Sequence, residues 1–194
     1  MILSTQGKTG SSRAVLYRAI DELRPYLDED AGPARLTVFG GLHLLGATEA
    51  AREDMGDEAH RLLDVAERLA ARVGETNHFR MVFGPTNVAL HRMTTALELG
   101  QTTRALETAE RVAIDRSPAV ERRLTYHLDA ARSYAKKRND VAAVFMIERI
   151  HRESPEELRY NVLVRETLRQ LMSRAKPAVL PDLRPLLTAA NLPD

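Results

Sequence analysis

The chain contains no cysteine and no tryptophan. Disulfides, thiolate metal sites and cysteine nucleophiles are therefore excluded from the start. Neither sign of charge is in excess: 28 Lys and Arg stand against 27 Asp and Glu, a formal net charge of +1. Nothing in that balance announces nucleic-acid binding by this segment. No apolar run reaches the length of a membrane span, and the start, Met1-Ile2-Leu3-Ser4-Thr5-Gln6, lacks the basic-then-apolar layout of a secretion signal. A soluble, cytoplasmic protein is the expectation. No segment alternates with period two beside β-branched enrichment, so strands are not expected either.

What is present is helical punctuation. Among 194 residues, 44% are hydrophobic, enough to build a core. Residues 1–12, with Gly7 and Gly10, read as a flexible lead-in. From Arg13, apolar residues recur at intervals of three and four (Val15, Leu16, Ala19, Ile20, Leu23, Leu27), and Pro25 bends or ends the run. Asp30-Ala31-Gly32-Pro33 makes a stop. A second helix covers 34–52, and a third carries Ala59, Leu62, Leu63, Ala66, Leu69, Ala70 and Val73 before Gly74 ends it. Gly84-Pro85 opens the next helix, Gly100 closes it, and Ala105, Leu106, Ala109 and Val112 mark a return helix over 101–113. Ser117-Pro118 and Ser154-Pro155 read as helix starts, each serine capping and each proline first in the helix, with Glu157 completing Ser-x-x-Glu in the second. These signals predict helices over 119–137, 140–152 and 156–174. Pro181 and Pro185 confine residues 176–194 to a short capping segment.

The helices pair as antiparallel hairpins, 34–52 with 57–73, 85–99 with 101–113, and 119–137 with 140–152. The small residue of each return helix falls at Ala59, Ala105 and Ala143, separations of 46 and 38 residues against about 34 for a tetratricopeptide repeat. The surplus falls in the connections around 74–84 and 114–118. Tyr134 stands nine residues before Ala143, the aromatic-to-alanine spacing of that repeat. The fold class expected is all-α, a tetratricopeptide-like α-solenoid over residues 13–175, in which stacking buries what one hairpin cannot.

Several strings carry a closer likeness: Phe83-Gly84-Pro85-Thr86-Asn87-Val88-Ala89-Leu90-His91, Glu121-Arg122-Arg123, His127-Leu128-Asp129-Ala130-Ala131-Arg132, and Pro155-Glu156-Glu157-Leu158-Arg159-Tyr160. They resemble the C-terminal tetratricopeptide-like half of actinomycete helix-turn-helix transcriptional regulators of the xenobiotic-response-element type, over roughly residues 13–174. In that family the repeats follow an N-terminal DNA-binding domain and sense a ligand or mediate self-association. The resemblance implies a ligand-sensing or protein-interaction domain related to transcription regulation, a fragment or shortened relative, with no direct nucleic-acid binding by this segment. Its partner is a peptide or small-molecule effector. The alternative is another protein held by a scaffold with no transcriptional role.

In a tetratricopeptide array the first helix of each hairpin lines the concave groove. That points to Asn87, His91 and Thr94 on one hairpin, and to Thr125, Leu128, Asp129 and Arg132 on the next. An amide could hold a peptide backbone and an arginine could clamp a carboxylate. Phe79, Met81 and Phe83 read first as a plug between hairpins; Phe83 also counts as a candidate ligand contact. Gly7-Lys8-Thr9 echoes a phosphate loop, but Ile2 stands where that motif needs glycine. No two of the six histidines have the i, i+4 spacing of a metal pair, and no Gly-x-Ser-x-Gly elbow exists. No enzyme activity, cofactor or metal is expected. Self-association as a homodimer is expected, through Leu16, Ile20 and Leu23 at one end or Leu180, Leu183 and Leu187 at the other, unless the end helix folds back on its own array.

Overall fold

The structure, a computed structural model, describes residues 9–27 and 31–193, with side chains placed except at 9–11 and 116. The lead-in up to residue 8, including Gly7 and Lys8, and Asp30 of the first stop lie outside the described residues. Among those described, the protein is all-helical, with ten α-helices and no β-strand. They are α1 (Thr9–Leu23), α2 (Pro33–Arg52), α3 (Gly56–Val73), α4 (Pro85–Glu98), α5 (Thr102–Ala109), α6 (Val120–Lys136), α7 (Asp140–Glu153), α8 (Pro155–Tyr160), α9 (Val162–Met172) and α10 (Leu180–Ala189). The chain divides into two compact units, with the boundary inside α5 between Arg104 and Ala105.

The first unit is built around α2. This helix packs against α1, α3 and α4 at once, and its sequence explains why. Gly40, Gly41, Gly46, Ala47, Ala50 and Ala51 keep it thin, so neighbours approach on several sides, and it is buried nearly all round rather than along one stripe. A Cβ on Gly46 would stand 3.4 Å from Leu62 on α3. In contrast, α3 is strongly one-sided, burying Ala59, Leu62, Leu63, Ala66, Leu69 and Ala70. Gly74 ends it at φ +67°, a conformation that costs glycine little, and its N–H closes on Ala70 O at 2.8 Å. The connection to α4 folds back through an isolated antiparallel bridge, Thr76 N–H donating to Phe83 O at 2.8 Å. It then drops Phe83 into the core against Gly40 and Met81 against Gly41. Burying a side chain such as Phe83 stabilises by about 1.5–3 kcal/mol. The tip of this connection holds Phe79, Arg80 and Val82 at positive φ, with the Phe79 side chain exposed.

In the second unit α6 and α7 form a hairpin, α9 packs on α6, and α10 packs on α7, α8 and α9. Ala131, Ala135 and Ala143 are fully buried between the hairpin's arms, where small side chains let the helices close up. Arg174, beyond α9, donates to Ala135 O at 2.6 Å and to Asp140 Oδ1 at 2.7 Å, tying the end of α6 to the start of α7.

Four boundaries differ from the sequence reading. The first helix starts at Thr9, inside the segment read as a lead-in over residues 1–12. The return helix expected over 101–113 ends at Ala109, because apolar Ile114 is drawn into burial by a 3-10 turn over Ile114–Arg116. Ser117 does not cap α6: the N-cap is Ala119, whose N–H donates to Ser117 Oγ at 3.4 Å. The helix expected over 156–174 is two, α8 and α9, because Asn161 turns extended and its Oδ1 accepts from Leu163 and Val164 N–H at 3.0 and 3.3 Å, starting α9 afresh. Ser154 does head α8, but its hydroxyl turns to Glu156 instead of capping. Of the residues expected to drive self-association, Ile20 is buried in the first unit, and Leu183 and Leu187 in the second, where α10 folds back on its own unit.

Candidate functional site

The residues singled out for the groove fall in both units. In the first, Asn87, His91 and Thr95 lie at i, i+4 and i+8 of α4, one stripe of the helix, and that stripe faces α2. His91 Nδ1 is 3.2 Å from Thr48 Oγ1, and the Thr48 hydroxyl donates to Leu44 O at 3.2 Å, so Nδ1 supplies the proton between them. Asn87 is only 4% exposed and its Oδ1 is buried with no hydrogen-bond partner; Thr95 Oγ1 is in the same position. Thr94 donates to its own helix at Leu90 O, 3.1 Å away. Phe83 lies in the core, 1% exposed.

In the second unit Thr125 donates to Glu121 O at 2.8 Å on its own helix, and Arg132 pairs with the buried carboxylate of Asp129 at 3.2 Å. Leu128 is core. The structure thus brings Phe83, Asn87 and His91 together within the first unit, and places Thr125 and Arg132 on α6 of the second.

The second unit also holds an opening that the sequence reading did not name. A cavity of about 350 Å³ in the second unit is walled by Val112, Ala113, Ile114 and Asp115 of the segment before α6, by Tyr126 and His127 of α6, and by Phe145, Met146 and Arg149 of α7. Tyr126 is pinned by donating to Ala109 O at 3.2 Å, and burial pushes its phenol pKa up. The Tyr126 and His127 rings meet edge to face at 5.3 Å. His127 is 3% exposed and its Nδ1 has no hydrogen-bond partner. Burial first, and then the neighbouring Arg149 cation, push its pKa below the ordinary histidine value, so the ring is neutral at pH 7. Arg149 forms an ion pair with Asp115, and nearly half of Phe145 is exposed to solvent. The arrangement offers apolar walls, one cation and a neutral ring, which suits holding a small molecule. Its sequence signal was the apolar trio Val112-Ala113-Ile114 in a connection, where unburied residues would be polar.

A smaller cavity of about 220 Å³ in the first unit is lined by Tyr17, His43, Glu58 and Arg61, among others. Tyr17 donates to Glu58 Oε1 at 2.7 Å, and burial with that bond raises its pKa to about 12. Arg61 pairs with the same carboxylate, so the polar groups there already satisfy one another. Among the described residues no three His, Asp or Glu side chains converge to hold a metal ion, and no helix is long and apolar enough to cross a membrane. Compared with known proteins, the chain matches no family model, no curated protein and no solved structure.

Proposed function

We propose that the chain is a tetratricopeptide-like binding domain, the sensing part of a regulator, that takes a small effector in the cavity of its second unit. The observation that carries the reading is that cavity: apolar walls around a buried histidine with an unpartnered nitrogen and an arginine at the mouth. The repeat character is supported by register. Gly40 meets Phe83 and Thr48 meets His91 at the same 43-position offset. Successive outgoing helices α2 and α4 therefore run side by side in the same direction, as first helices of stacked hairpins do. The polar stripe of α4 is a weaker host, because Asn87 is turned against α2. Native mass spectrometry of protein purified from its own host tests the reading. A retained small molecule is expected, lost when Ala113→Phe fills the cavity. Protein that carries no molecule, or whose molecule survives that replacement, counts against it.

A protein-interaction scaffold is the second reading. It is favoured by Tyr160, Val162 and Leu163, exposed apolar residues at the α8–α9 corner, where a partner surface would cover them.

A further inference from the structure

We infer that the cavity of the second unit selects a small monocarboxylic acid with an apolar body, whose carboxylate takes Arg149 in exchange for Asp115. This rests on the effector-binding reading above and adds the chemical class. The Arg149–Asp115 pair is solvent-accessible on both sides, with side-chain exposures of 34% and 71%. Pairs of that kind are weak, shifting an equilibrium by no more than about fivefold. Asp115 is therefore an exchangeable occupant of a guanidinium that could bind a ligand carboxylate through two parallel hydrogen bonds.

The neighbouring cation is differently placed. Arg123 is held by Glu153 and by the Ser117 carbonyl, and both members of its ion pair are largely sheltered from water. Arg149 is thus the cation that a ligand can recruit.

The rest of the cavity sets the remaining specificity. Val112, Ala113, Ile114, Phe145 and Met146 offer no polar side chain, so the body that fills the space is apolar. Phe145, 47% exposed, gains by being covered. His127 is neutral and adds no second positive charge, while Asp115, displaced but still adjacent, repels a second anionic group. One negative charge is favoured over two, so monocarboxylates should exceed dicarboxylates and phosphates.

Calorimetric titration of the full chain with 3-phenylpropionate and decanoate tests this, beside the uncharged 3-phenylpropanol and decanol and the dianion phenylsuccinate. The monocarboxylates should bind at least about tenfold tighter than the matching alcohols, the size of a charge-assisted hydrogen bond. Arg149→Met, which keeps the apolar stem, should abolish that preference without weakening the alcohols. Asp115→Asn should tighten carboxylate binding by up to about fivefold, because it removes the competitor. A pair that merely braces the fold predicts no gain, so Asp115→Asn decides the matter even if Arg149→Met unfolds the protein. Equal binding of acids and alcohols, preference for the dianion, or no gain in Asp115→Asn overturns the inference. If the host-purified protein retains a neutral or cationic molecule in this cavity, the carboxylate class falls and the effector-binding reading stands; if nothing is retained and no probe binds, both fall.

Discussion

Phe83 points the tip of its ring at the missing side chain of Gly40: a Cβ at that glycine would stand 2.1 Å from the Cζ of the ring. Two effects oppose each other in Gly40→Ala. Alanine in a helix interior gains about 0.5–1 kcal/mol over glycine, and overpacking costs about 1–3 kcal/mol. Phe83 is fully buried and cannot swing aside, so the clash wins and a net loss of about 1–2 kcal/mol is expected. At the adjacent Gly41 the obstacle is the flexible end of Met81, 2.6 Å away. Gly41→Ala is therefore expected to be neutral or slightly stabilising. Urea denaturation of the two variants measures the contrast, and a stabilised Gly40→Ala would show that the ring is not seated there.

The one-sided helices were legible and the central one was not. α3 announces itself by a stripe of apolar residues, and Gly74, Gly84-Pro85 and Gly100 mark ends that the structure keeps. For α2 the boundaries were readable, but its position was not. Its glycines and alanines lie all round the axis, a pattern that means burial on every side, and the hairpin pairing assigned it one partner. The break at Asn161 was missed because Ser154-Pro155-Glu156-Glu157 is a strong start, and nothing in periodicity alone says that an asparagine before Val162-Leu163-Val164 restarts a helix. The candidate site was less legible still. Asp115 and Arg149 are 34 positions apart, and only the fold brings them together. Conversely, i, i+4 spacing correctly put Asn87 and His91 on one face, but spacing cannot say that α2 covers it.

Asn161 is the hinge between α8 and α9, accepting from two N–H groups of α9 and donating to Glu157 Oε2 at 2.7 Å. Asn161→Ala removes the cap and should cost about 1 kcal/mol, whereas Asn161→Ser keeps a neutral capping acceptor, without setting a second carboxylate against Glu157, and should recover most of it. Thermal unfolding of both variants checks this; equal stability of Asn161→Ala and wild type would mean that α9 needs no cap.

Burial pushes both His43 and His127 below the ordinary histidine pKa. His43 is also opposed by the Arg24 cation, and lines a cavity with Tyr17, Asp21, Glu58 and Arg61. Around His127, Arg149 and Arg123 oppose protonation while Glu153 and Asp115 favour it, leaving burial dominant. Each histidine therefore binds its proton more readily in the unfolded chain. As pH falls below the unfolded value of about 6.5, the unfolded state takes up protons that the folded state refuses, and stability drops. It should be flat in this respect above about pH 7.5. Urea midpoints should fall between pH 7.5 and 5.5, and fall less in a His43→Gln, His127→Gln double variant. An unchanged slope in that variant would assign the pH dependence to other groups.

The α2–α4 seam separates structural from ligand-contacting use of its polar residues. Thr48 and His91 satisfy one another across it, so Thr48→Val should cost about 0.5–1.5 kcal/mol, the net value of a hydrogen bond, or more for the nitrogen left unpaired. Asn87 presents the opposite case, with a buried Oδ1 that nothing satisfies. Replacing it by Leu, close in volume, removes the desolvation penalty of that oxygen while keeping the space filled. Asn87→Leu is therefore expected to leave stability unchanged or raise it, against the usual sense of core substitutions. If the Oδ1 waits for a ligand, the same variant loses binding of the molecule retained from the host while folding normally. A clear loss of stability in Asn87→Leu would instead show that a bound water or a shifted rotamer satisfies the oxygen in solution, and that Asn87 holds α4 against α2.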